Sequence, residues 1–168
     1  VIEITDTIDP TITCPEIVSP IECPAVPVFG MATATDACDV MVTITFNDVT
    51  TLTDCDSEYS ITRTWTATDD CGNTAICVQT IEIEDNEAPQ IQCPASYAIS
   101  CEDDRSPSTQ GRARATDNCT PIGEIIITYS DDVSNLTGCN NTGNLYRTWT
   151  ATDACGNRTT CVQVLTIV

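Results

Sequence analysis

Residues 63–69 read Arg-Thr-Trp-Thr-Ala-Thr-Asp, and residues 147–153 repeat the same seven letters. Cys71-Gly72-Asn73 is matched by Cys155-Gly156-Asn157, and Cys77-Val78-Gln79 by Cys161-Val162-Gln163. Upstream, Cys14-Pro15 returns as Cys93-Pro94, and Ala34-Thr35-Asp36 before Cys38 returns as Ala115-Thr116-Asp117 before Cys119. The offset drifts from 79 to 84 residues, so the second copy carries short loop insertions. Self-similarity at a nearly fixed period is the signature of tandem units. The chain is expected to hold two of them, 1–84 and 85–168, with six of its 12 cysteines in each.

Within each copy, β-branched or aromatic residues alternate with polar ones, as in Val42–Phe46, Ile61–Thr68, Ile81–Glu84 and Ile125–Tyr129. Period-2 alternation broken by Pro, Gly, Asn and Asp is the strand pattern, and no ten-residue window has helical periodicity. Short strands every 8–12 residues, in units of this size, predict an all-β chain of two tandem immunoglobulin-like β-sandwich repeats. Trp65 and Trp149 are expected to anchor the two cores, with a sugar-stacking platform as their alternative use. Val1-Ile2-Glu3-Ile4-Thr5 aligns with Thr80–Glu84, the exit strand of the first copy, and is therefore a spare strand in repeat register. It belongs either to a preceding unit of a longer array or to a neighbouring subunit reached by strand donation.

An even number of cysteines in a chain without His argues for disulfides over zinc, and so for an oxidising compartment. Units this small bury little, so bridges worth about 2–4 kcal/mol each would supply much of the stability. A sandwich arrangement ranks the pairings as Cys14–Cys77, Cys23–Cys55 and Cys38–Cys71, with Cys93–Cys161, Cys101–Cys139 and Cys119–Cys155 in the second copy. The sequential pattern 14–23, 38–55 and 71–77 is the main rival.

Taken together, Arg-Thr-Trp-Thr-Ala-Thr-Asp-x-Cys-Gly-Asn-x-x-x-Cys-Val-Gln, then Asp-x-x-x-Pro-x-Ile-x-Cys-Pro, resembles the HYR-like, immunoglobulin-like repeats of large Bacteroidota surface adhesins, those of gliding bacteria included. The resemblance implies an extracellular segment of a long cell-surface filament or adhesin. It supplies no ligand, and the six cysteines per copy exceed what a minimal unit of that family needs.

The 25 acidic residues face only six basic ones, all Arg, for a net charge of −19. That balance excludes non-specific phosphate binding, so no nucleic-acid partner is expected. No run approaches the roughly 18 apolar residues of a membrane span, and no membrane insertion is expected. With neither His nor Lys, the usual general-base and Schiff-base constellations are missing, and no enzyme is expected. Hard oxygen donors do cluster. The linker Glu84-Asp85-Asn86-Glu87-Ala88-Pro89 precedes the second copy, and Asp117 and Asp153 fall in the loops at one pole of it. The corresponding set in the first copy is Asp6, Asp9, Asp36 and Asp69. Asp85, Glu87, Asp117 and Asp153, with these four, are candidate Ca²⁺ ligands. The plain alternative is that Asp117 and Asp153 make Asx turns and the linker acids are solvated. Sequons at Asn118, Asn135, Asn140 and Asn157 are read as incidental, whereas Thr7, in Asp6-Thr7-Ile8, resembles a Bacteroidota O-glycosylation site.

The chain is therefore expected to be a non-catalytic structural and adhesive repeat, its partners being neighbouring repeats or identical subunits in a fibre. One alternative is a filament subunit that polymerises by donating Val1–Thr5. Another is an accessory module that binds surface glycans.

Overall fold

Threonine, isoleucine and valine crowd the backbone at Cβ and favour extended conformations, and the side chains alternate between faces. The consequence is plain in the computed structural model, which describes residues 5–138 and 141–168. The chain divides into two compact units, Val1–Asp85 and Asn86–Val168.

In the first unit β1 (Thr11–Thr13) pairs antiparallel with β3 (Thr33–Thr35). The facing sheet holds β2 (Ile21–Glu22), β4 (Thr43–Leu52), β5 (Tyr59–Thr68) and β6 (Thr74–Glu84), in the order β2-β6-β5-β4. β4, β5 and β6 are antiparallel, while β2 lies parallel to β6 with Ile21 opposite Ile83. The second unit repeats this plan. β7 (Gln90–Gln92) pairs with β9 (Arg114–Thr116). β8 (Tyr97–Ile99), β10 (Ile126–Asp132), β11 (Gly143–Thr152) and β12 (Arg158–Ile167) follow the order β10-β11-β12-β8. A four-residue helix, α1 (Pro107–Gln110), has no counterpart among the described residues of the first unit.

The alternation read from the sequence decides what is buried. On β6, Gln79, Ile81 and Ile83 point inward while Val78, Thr80 and Glu82 face solvent. Trp65 and Ala67 on β5 complete that core, and Trp149, Ala151, Leu165 and Ile167 do so in the second unit. Both tryptophans are core residues. Cys14, just after β1, bonds Cys77 on β6 and ties the two sheets together, with the Cα atoms 5.9 Å apart. Cys93–Cys161 does the same in the second unit, also at 5.9 Å. These bridges close loops spanning 63 and 68 residues. On the chain-entropy account, loops of that length contribute about 4 kcal/mol each.

Cys23, Cys55, Cys119 and Cys155 are also disulfide-bonded. The expected Cys38–Cys71 bridge is absent, because both residues are exposed free thiols. The physical reason lies in the loop. The Cys38 thiol has a carboxylate partner in Asp6, and Cys71 is held by its backbone amide in a turn around Asp69. Of the Cys101–Cys139 pair, Cys139 lies outside the described residues, as does Asn140. Val1, Ile2, Glu3 and Ile4 of the spare strand also lie outside them, and Thr5 is exposed, irregular chain.

Candidate functional site

The loops at one pole of the first unit are built around aspartates that accept their own backbone. Asp36 Oδ1 accepts the amides of Cys38 at 2.7 Å and Asp39 at 3.0 Å, shaping the exit from β3. Asp69, at the end of β5, accepts the amides of Cys71 at 2.9 Å and Asn73 at 2.8 Å on Oδ1. Its Oδ2 accepts the Asn73 side chain at 2.7 Å. Gly72 turns the chain back with φ +92°, a left-handed conformation that favours glycine. Asp6 Oδ1 accepts the amide of Ile8 at 3.0 Å, and Asp39 Oδ2 accepts the amide of Asp70 at 2.8 Å, which ties the two loops together.

These Asx turns use only part of the carboxylate capacity. Oδ2 of Asp6 and Oδ2 of Asp36 are buried and have no hydrogen-bond partner. Ligand oxygens of Asp6, Asp39 and Asp69 lie within 4.8 Å of one another, and Asp6 forms a second such group with Asp36 and the Cys38 sulfur. Burial opposes the charge on Asp69, but bonds from the Asn73 side chain and from the amides of Asn73, Gly72 and Cys71 prevail. They hold its carboxyl below the usual range. The Asp6 charge, helped by desolvation and by the hydrogen bond to Asp6, pushes the Cys38 thiol up, so it stays protonated. Among the described residues no Arg forms an ion pair with these aspartates. Like charges gathered in this way, with oxygens left unbonded, match the donor chemistry of a hard divalent cation.

The second unit repeats the arrangement. Asp117 Oδ1 accepts the amides of Cys119 at 2.9 Å and Thr120 at 2.8 Å. Asp153 Oδ1 accepts those of Gly156 at 2.6 Å and Asn157 at 2.8 Å. Their Oδ2 atoms are buried without a partner, and Asp153 is only 4% exposed. Glu87 is exposed and lines a cleft of about 230 Å³ together with Gln90, Thr116 and Asp117. Asp85, the residue after β6, is buried.

Of the residues anticipated from sequence, Asp6, Asp36 and Asp69 come together. Asp9 does not: it is exposed and joins none of these groups among the described residues. Asp39 was not anticipated, although its place directly after Cys38 was a usable signal. Thr7 is exposed. Trp65 and Trp149, at 1% and 3% exposure, offer no face to a sugar ring.

Residues 6–83 match the family described as "HYR-like domain with 4 cysteines". Four of the six cysteines in that segment are disulfide-bonded. No curated protein sequence matches the chain. Among solved structures, the chain is similar to Drosophila N-cadherin EC1-4, with 16% identity and a TM-score of 0.42 over 96% of this chain and 50% of that one. It is also similar to human mucin-like protocadherin EC1-2, with 11% identity and a TM-score of 0.36 over 94% of this chain and 98% of that one. For mouse cadherin-23 EC22-24 the values are 16% and 0.37, over 95% and 67%. The chain thus spans half the length of the N-cadherin fragment. The first unit is similar to a HYR-like domain, and the second carries the same motif string. Disulfides form and persist in oxidising compartments such as the extracellular space. Among the described residues no helix is long and apolar enough to cross a membrane.

Proposed function

We propose that this chain is a non-catalytic structural and adhesive repeat segment of an extracellular surface adhesin or fibre, and that each unit takes up Ca²⁺ at its acidic loop pole. The observation that carries the mechanical part is the placement of the inter-sheet disulfides. Cys14 directly follows the first strand and Cys77 lies on the last, so the bridge encloses most of the unit, and Cys93–Cys161 does likewise. A chain pulled from its two ends then bypasses the enclosed residues and cannot be drawn out. Single-molecule pulling of the chain tests this. Non-reducing conditions should give only short extensions. Reduction should add about 220 Å for the first unit, at roughly 3.5 Å per released residue. Equal extensions with and without reductant would remove the mechanical reading.

Calcium is supported by the unpartnered Oδ2 atoms of Asp6, Asp36, Asp117 and Asp153. An ion that binds the folded state alone raises its melting temperature. Thermal melting should therefore shift upward at about 1 mM Ca²⁺, within the range of extracellular sites. The shift should shrink in Asp36→Asn and Asp117→Asn. Unchanged melting of the wild-type chain in calcium would sink the cation reading and leave the mechanical one standing.

A further inference from the structure

The four-stranded sheet of the first unit ends at β4, whose far side no strand among the described residues covers. β4 runs for ten residues and pairs with β5 through its whole length without a bulge, from Thr43 opposite Thr68 to Leu52 opposite Tyr59. All but Ile44 are exposed, Phe46 at 54%, Val49 at 56% and Leu52 at 75%. A long, regular edge presents a row of unpaired N–H and C=O groups, and the chemistry that satisfies such a row is another extended strand.

Natural sheets commonly guard such edges with charge, proline or a bulge. β4 carries none of these except Asp48, and that charge is neutralised by a two-pronged bond from Arg63, with both contacts at 2.7 Å. No other charged residue occurs between Val40 and Thr53, in a chain whose net charge is −19. The equivalent edge strand of the second unit is built differently. β10 stops after seven residues, and Asp132 stands opposite Tyr146 where Val49 stands opposite Thr62. One chain thus holds a guarded and an unguarded version of the same edge.

We infer that β4 is a self-association edge: it pairs antiparallel with β4 of a second copy of this chain, joining two four-stranded sheets across a two-fold axis. The partner is argued from charge. Two copies of so acidic a chain repel each other, and along this edge, where the one carboxylate is paired with Arg63, that repulsion is relieved. An axis through Asn47 sets Thr45 against Val49 and Thr43 against Thr51, while keeping each Asp48 away from its own copy. The contact lies apart from the acidic loops and does not depend on cation binding.

Sedimentation velocity of the whole chain over a range of concentrations, in chelator and in calcium, tests the inference. A concentration-dependent dimer is expected in both conditions. Val49→Asp, which copies the guard of the second unit, should abolish it, and so should Thr45→Lys. Both changes lie on an exposed strand face, and unchanged thermal melting would show that the variants fold. A wild-type chain that stays monomeric throughout overturns the proposal, as does a dimer that survives both substitutions. A dimer seen only in calcium would assign the contact to the acidic loops and overturn it too.

Discussion

The two units spell their central strand with the same letters, yet they house it differently. In the first, Arg63 lies 4.3 Å from the ring centre of Phe29 and 4.0 Å from that of Phe46, and its side chain is 16% exposed. In the second, Arg147 is sealed to 2%, pairs with Asp131 at 2.7 Å, and gives a further bond to the carbonyl of Arg105 at 2.7 Å. The connection over each arginine makes the difference. Residues 25–29 read Ala-Val-Pro-Val-Phe and supply a ring, while residues 103–110 supply polar chain and α1. The same loops separate the tryptophans. Trp65 Nε1 donates to Gln79 Oε1 at 2.8 Å. In the second unit Gln163 turns to the carbonyls of Ala95 and Gln110, leaving Trp149 Nε1 and its own Oε1 without partners. Thiols diverge as well, since Cys38 and Cys71 are free where Cys119 and Cys155 are bonded. An identical strand motif fixes the frame, and the connecting segments decide the energetics inside it.

That contrast can be broken by experiment, most sharply at the arginines. Asp131→Ala strands a charge that water cannot reach and should cost the second unit about 3–5 kcal/mol. Asp48→Ala removes a solvent-screened partner and should cost the first about 1 kcal/mol or less. Hydrogen exchange, read separately in the two units, measures both, and equal losses would show that burial does not distinguish the pairs. The tryptophans give a smaller difference. Trp65→Phe orphans the Gln79 oxygen, whereas Trp149→Phe removes a donor that had no partner. The first change should therefore be costlier by about 1–2 kcal/mol, the penalty for an unmet buried group. A larger loss at Trp149 would reverse the comparison.

The all-β plan was legible because alternation on strands such as β6 states which face is buried, and both copies state it twice over. The loop pole was partly legible. Asp36 and Asp69 stand at strand ends beside Cys and Gly, where turn chemistry is local and can be read from spacing. The state of Cys38 was not, because it depends on Asp6, thirty-two residues upstream, and on how the loops meet. Nor did Asp9 announce its exposure, since one residue separates it from strand β1 and nothing in its letter marks the direction of its side chain. Short-range geometry is written in the sequence, while contacts across loops need the fold.

Asp36 and Asp117 each spend one oxygen on the backbone and leave the other unengaged. Shape and charge are therefore carried by a single side chain through separate atoms. Asparagine at either position would keep the turn and lose the anion. Repeats of this kind can drift between ionic and neutral poles by single substitutions without ever abandoning their loop conformation, so an array descended from one ancestral unit can vary its charge from module to module while every module keeps its form.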